Sequence, residues 1–180
     1  MSVRRGALPV AVRALKRLLN TRPKGDGAWR RLFRQYPEML GTQQVVDFEV
    51  RISGLPPRTA DFLTGFSLPG TYVLWELEGS DSPVFTPRQG TLVPHWTLTL
   101  GLQQLEDWKV AIERYTTADY LRDRCPGFSR MEYRLLIGHQ VPDDRLQKLI
   151  HKNRFILDPV GLHVMTYGDL LEYWEWVLRD

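Results

Sequence analysis

YVLWELE, residues 72–78, reads as a strand of a sheet. Successive side chains of a strand point to opposite faces, so Val73, Trp75 and Leu77 share one face and Leu74, Glu76 and Glu78 share the other. Two carboxylates two residues apart on one strand face sit roughly 6–7 Å from each other. That spacing lets both reach one cation, and a divalent ion favours such hard oxygen ligands. On spacing alone, the wet face of an amphipathic strand is the simpler reading, because structural carboxylates are common.

Working outward, the period of two persists upstream. QVVDFEVRI (44–52) alternates Val46, Phe48, Val50 and Ile52 against Val45, Asp47, Glu49 and Arg51. GLPPRT is a turn, ADFLTGF a short strand and SLPG a second turn, which together predict an antiparallel meander. If that hairpin pairs in register, Asp61 comes near Glu76. Three acids would then converge, an arrangement costly without Mg²⁺ or Mn²⁺. Asp61 also reads as an ordinary turn residue. Downstream, 79–95 is rich in proline and turn residues and reads as a surface loop.

A long helix follows over roughly 96–116, with the stripe Trp96, Leu100, Gln104, Trp108, Ile112. Its one polar member, Gln104, is either satisfied within the core or aimed at a site, because a buried amide must find partners. After a looser segment around Cys125, the chain reads as strand (132–138), helix (143–155), strand (161–167) and helix (168–178), with Asp143 and Asp169 as helix starts. Two helices are expected before the meander, over 8–20 and 28–40. The order α-β-β-β-α-β-α-β-α predicts an α/β fold with a mixed sheet flanked by helices.

With 180 residues, 43% of them hydrophobic and 25% charged, the chain has the makings of one ordinary globular domain. The first 34 residues carry ten Lys or Arg against a single acid, Asp26, while the whole chain is only +3, so the remainder is net acidic. This divides the chain into a basic helical arm, 1–34, and a body, 35–180. The arm suits phosphate binding or a solvated basic face. Its start also mimics an organellar transit peptide, although an amphipathic basic helix is the preferred reading. No apolar run reaches the ~20 residues that span a bilayer. The lone Cys125 excludes an intramolecular disulfide and fits a reducing cytoplasm. His95, His139, His151 and His163 lack ligand spacing, and no phosphate-cradling GxxxxGK[ST] loop occurs. Tyr173, Trp174 and Trp176 read as packing residues of the last helix, with base stacking as the alternative.

In order and spacing, ADFL, YVLWELE followed by SPVF and a glycine, QQLEDW, RLLIG and VMTYGDLLE resemble the nuclease core of the Shedu anti-phage proteins, a branch of the PD-(D/E)xK superfamily. The resemblance covers about residues 36–178. It implies a restriction-endonuclease-like fold and a cytoplasmic Mg²⁺- or Mn²⁺-dependent nuclease cutting double-stranded DNA in antiviral defence, with assembly as a homo-oligomer. It also implies that Asp61, Glu76 and Glu78 serve as metal ligands. Gln104 would close the site with Trp108 beneath it, and Glu38 would be an additional acid. The superfamily's usual lysine is replaced here by Glu78. A lysine would orient the attacking water, and an E-x-E variant offers a general base or further ligand instead. A catalytically weak module that binds DNA or a partner protein is the alternative. The long regulatory region that many Shedu proteins carry does not precede residue 1, so control by a partner or by the basic arm is expected.

Overall fold

The computed structural model describes residues 8–40, 44–52, 58–65, 69–114, 123–140 and 161–179. Five strands make one mixed sheet: β1 (Gln44–Ile52), β2 (Arg58–Gly65), β3 (Thr71–Leu77), β6 (Arg130–Leu136) and β7 (Leu162–Met165), in that spatial order. The meander β1-β2-β3 is antiparallel, while β3 pairs β6 and β6 pairs β7 in parallel. All seven residues of β3 are buried. As the middle strand it must be covered on both faces, and the covering helices do that.

The alternation read from β3 holds. Val73, Trp75 and Leu77 pack with α1 (Leu8–Thr21), α2 (Gly27–Gln35), a 3-10 turn (Pro37–Leu40) and α4 (Tyr167–Val177). Leu74, on the other face, packs with α3 (Trp96–Arg114). The result is three layers, helix on sheet on helix, consistent with a restriction-endonuclease-like fold. The basic segment is part of this packing as well as a carrier of charge. Ala11, Val12, Leu15, Leu19, Trp29, Leu32 and Phe33, at helical spacing, bury one face of α1 and α2 in the same core as β3. Helix α2 stops at Tyr36 because Pro37 disfavours helical backbone in the residue before it.

Three expectations need correction. The stretch 79–95 is not all loop: β4 (Phe85–Arg88) and β5 (Thr91–Pro94) form a small hairpin. Helix α4 starts at Tyr167, and Asp169 does not cap it alone. Thr166 caps, accepting from Asp169 N, while the Asp169 side chain accepts from Thr166 N in return. On α3 the buried face is Leu98, Leu105, Trp108 and Ile112, whereas Trp96 and Leu100 are 62% and 51% exposed. Gly101 lets that face close on β6, since a Cβ there would lie 2.7 Å from Leu135. The helix and the capping Asp143 expected over 143–155 fall outside the described residues.

Candidate metal centre

The site lies where β2 and β3 part. Their ladder pairs Phe62 with Trp75 and then stops, one step before Asp61 would face Glu76. Asp61 is left unpaired in β1 as well, because β1 is distorted opposite it: Glu49 adopts a left-handed backbone, φ 53°. The distortion switches faces. Val50 and Ala60 belong to the α3-side core, yet Phe48 packs edge-on against Phe62, which belongs to the other. With its own backbone out of the ladder, Asp61 substitutes a side chain for it. Its Oδ2 accepts the Leu77 N–H at 2.8 Å.

The two helical layers meet in this gap. Arg30 arrives from α2, with Nε 2.8 Å from Asp61 Oδ1 and Nη2 2.5 Å from Asp26 Oδ2 at the head of the same helix. Gln104 arrives from α3, near enough for its side-chain amide to favour the charged form of Glu76. Asp61 and Glu76 are 4% and 8% exposed. Glu78, half-buried just beyond β3, has both backbone groups engaged: its N–H donates to Leu136 O, and its carbonyl accepts from Tyr167 Oη at 2.7 Å. The turn before α2 is fastened here too, Gly25 N–H donating to Asp81 Oδ1.

Burial and mutual repulsion make this group costly. Burial first, then the charges of Asp61 and Glu78, push the Glu76 carboxyl up to about 9, against the opposing pull of Arg30 and Gln104. Burial also raises Asp61, to about 6, although Arg30 and the Leu77 N–H favour its charged form. Glu78 is raised by burial and by Asp26. Both carboxyls are thus pushed toward their protonated forms, Glu76 the more strongly. Burial works against the Arg30 charge, but Asp61, Asp26 and Glu76 outweigh it and hold the guanidinium protonated. Even so, Glu76 Oε2 is buried without any hydrogen-bond partner among the described residues. Trp29 Nε1 and Arg30 Nε on α2, Ser80 Oγ in the turn after β3 and Trp108 Nε1 on α3 also lack hydrogen-bond partners there.

Asp61, Glu76, Glu78 and Gln104, singled out in the sequence, therefore act on one region. Glu38 lies half-buried in the 3-10 turn, and the acid whose charge reaches the group from the N-terminal helices is Asp26. Among the described residues no three His, Cys, Asp or Glu gather closely enough to hold a metal ion by themselves. Arg30 was not singled out in the sequence. Its only local signal was Asp26, the one acid of a basic segment, placed four residues before it. Of the C-terminal aromatics, Trp174 is buried and donates to Met39 O, while Tyr173 and Trp176 are exposed.

Residues 26–171, from the head of α2 through the first five residues of α4 and including Asp26, Arg30, Asp61, Glu76, Glu78 and Gln104, match the family described as Shedu protein SduA, C-terminal. The chain belongs to that family. No curated protein matches it closely. Among the described residues, no helix of this Shedu family member is long and apolar enough to cross a membrane.

Proposed function

We propose that this protein is a metal-dependent nuclease that hydrolyses phosphodiester bonds of double-stranded DNA in anti-phage defence, with Mg²⁺ or Mn²⁺ held by Asp61 and Glu76. The observation that carries the reading is Glu76 Oε2, a buried carboxylate oxygen with no partner beside a second buried carboxylate. Membership of the Shedu family supports it. The donor set fits the ion. Magnesium is commonly bound through one or two carboxylates and completes its shell with water and substrate phosphate, so two protein ligands suffice. When bound, such an ion polarises the phosphate and lowers the pKa of the attacking water.

The chain's own groups divide the remaining work. The Leu77 N–H, within the sheet, holds Asp61, and Gln104 approaches Glu76 from α3, which fixes where a ligand can sit. Glu78 lies beside them with its carboxyl raised, and so accepts a proton at a carboxylate oxygen more readily than a free glutamate does. The exposed basic face of α1 and α2 supplies sequence-independent attraction for phosphates. Under this reading the protein acts in the cytoplasm and assembles as a homo-oligomer, which sedimentation tests.

Plasmid incubated at low salt with Mn²⁺, Mg²⁺ or EDTA, beside Glu76→Ala, decides the matter. Metal-dependent nicking that the substitution abolishes is the expected result. The second reading, a DNA-binding module that does not cut, is favoured by one observation: Arg30 already neutralises Asp61. A gel shift without cleavage would establish it.

A further inference from the structure

The acidic group already has a cation in it, and that cation is held by a helix that also carries the exposed Arg31 and Arg34. Arg30 Nε lies 2.8 Å from Asp61 Oδ1, an ion pair without hydrogen-bond geometry, and the other Asp61 oxygen takes the Leu77 N–H, while Glu76 Oε2 has no hydrogen-bond partner among the described residues. The guanidinium charge acts on Glu76 and Glu78 as well. An ion drawn to Glu76 Oε2 and Asp61 meets a like charge at contact distance from one of its ligands. The two cannot both have Asp61 Oδ1 to themselves.

The Arg30 side chain is not locked in. It is 37% exposed, and its outer contact is to Asp26, itself one-third exposed. Arg31 and Arg34 on the same helix are exposed, Arg34 one turn beyond Arg30. A phosphodiester reaching this face offers the guanidinium fork an acceptor of the geometry it matches best.

We propose that Arg30 is a displaceable counter-ion, a positioning residue that occupies Asp61 until a phosphodiester draws its guanidinium away, so that nucleic acid binding on α2 and divalent-ion binding at Asp61 and Glu76 reinforce each other. Such a coupling is reciprocal and for two linked sites commonly amounts to about 5–150-fold in affinity. The inference rests on the metal-dependent reading above. It adds that the basic helices gate the ion as well as attract DNA.

The test is calorimetric titration of Mn²⁺ into the wild type, Arg30→Gln, Arg30→Lys and Glu76→Gln, each alone and with a short phosphorothioate duplex whose own Mn²⁺ uptake is subtracted. The wild type should bind Mn²⁺ about tenfold more tightly with duplex than without. Arg30→Gln should show that tighter affinity with no duplex present and gain nothing further from it. Arg30→Lys keeps the charge but cannot bridge Asp61 and Asp26, so it should fall between the two and speaks for the site if the glutamine variant does not fold. Arg30 variants that bind Mn²⁺ no more tightly than wild type overturn the inference, as does a duplex effect that survives in Arg30→Gln. If the wild type binds Mn²⁺ and Glu76→Gln does not, that failure leaves the metal reading standing. If the wild type takes up no Mn²⁺ with or without duplex, the metal reading falls and this inference falls with it.

Discussion

Trp75 and Glu76 are neighbours on β3, yet the first belongs to a buried polar pair that is satisfied and the second to one that is not. At Thr64 and Trp75 the indole Nε1–H donates to the threonine Oγ1 at 2.9 Å, and the hydroxyl leans on Val73 O. Both residues are almost fully buried and every polar atom involved has a partner. At Asp61 and Glu76, where the ladder ends, two carboxyls are also buried, are pushed toward their protonated forms and leave an oxygen unpaired. The first arrangement is what folding alone selects, since an unsatisfied buried polar group costs roughly 1–3 kcal/mol. The second is unfavourable for folding on its own terms, and a bound cation is the change that would make it favourable. Unsatisfied burial, more than burial itself, separates a candidate site from the core.

Catalysis should separate the two pairs most strongly. Glu76→Gln keeps the shape of the side chain and removes its charge, and should lower metal-dependent nicking by about 10³-fold, the scale of losing one electrostatic element of an active site. Thr64→Val should leave the nicking rate unchanged. If both substitutions reduce it alike, the distinction between the two pairs is lost.

Next in size is the response to ions. Mn²⁺ at a hundred times its dissociation constant should stabilise the wild type by about 2.7 kcal/mol. For a chain of this length that is a rise in melting temperature of about 5–11 °C. Glu76→Gln should show no such rise, and Thr64→Val should show all of it. A melting temperature indifferent to Mn²⁺ in the wild type would mean that the unpaired oxygen is simply a tolerated defect.

The unsatisfied pair should also write itself into the pH dependence of stability. In the folded protein Glu76 holds its proton up to about pH 9, against an ordinary value near 4.5. A raised carboxyl favours the native state below its unfolded value, and that advantage is lost as pH climbs toward the folded one. Glu76→Gln stays neutral throughout. Without metal it should therefore match the wild type near pH 4 and become the more stable protein as pH rises to 9, by about 2 kcal/mol, within the range seen when buried charges are neutralised. Thermal melts at pH 4, 7 and 9 decide it; a wild type that stays level with the variant at pH 9 contradicts the burial argument.

Much of this could be read without coordinates, and what was missed has physical causes. The faces of β3 follow from its alternation, and Asp61 beside Glu76 follows from the length of the SLPG turn. The switch of faces at Glu49 does not, because a left-handed glutamate leaves no trace in a hydrophobic pattern. The β4–β5 hairpin was hidden by Pro87 within a strand and by a turn with positive φ at Gln89 and Gly90, where Asn or Asp is the usual first residue. The stripe on α3 misled at Trp96 and Leu100, since periodicity cannot say how far a helix extends over the sheet. Arg30 was lost among ten basic residues. Its role comes from α2 crossing the end of β3, a contact between distant segments that neither segment announces.

The smallest effect expected is at the satisfied pair, and its size matters as a control. Thr64→Val keeps the volume and removes the only acceptor that the Trp75 indole has among the described residues. A buried N–H left without a partner should cost about 1–2 kcal/mol. Neither group titrates in the accessible range, so the loss should be the same at pH 4, 7 and 9, shifting the whole stability curve without changing its slope. Glu76 follows Trp75 directly on β3, so a slope that changed would show that the Thr64–Trp75 bond also sets the position of Asp61 and Glu76. Stability melts of Thr64→Val, Glu76→Gln and the double variant would then give a coupling well above the roughly 0.3–0.5 kcal/mol within which independent sites add. Additivity within that margin is expected, and it would mean that the structural bond and the acidic group, although adjacent, answer to separate demands.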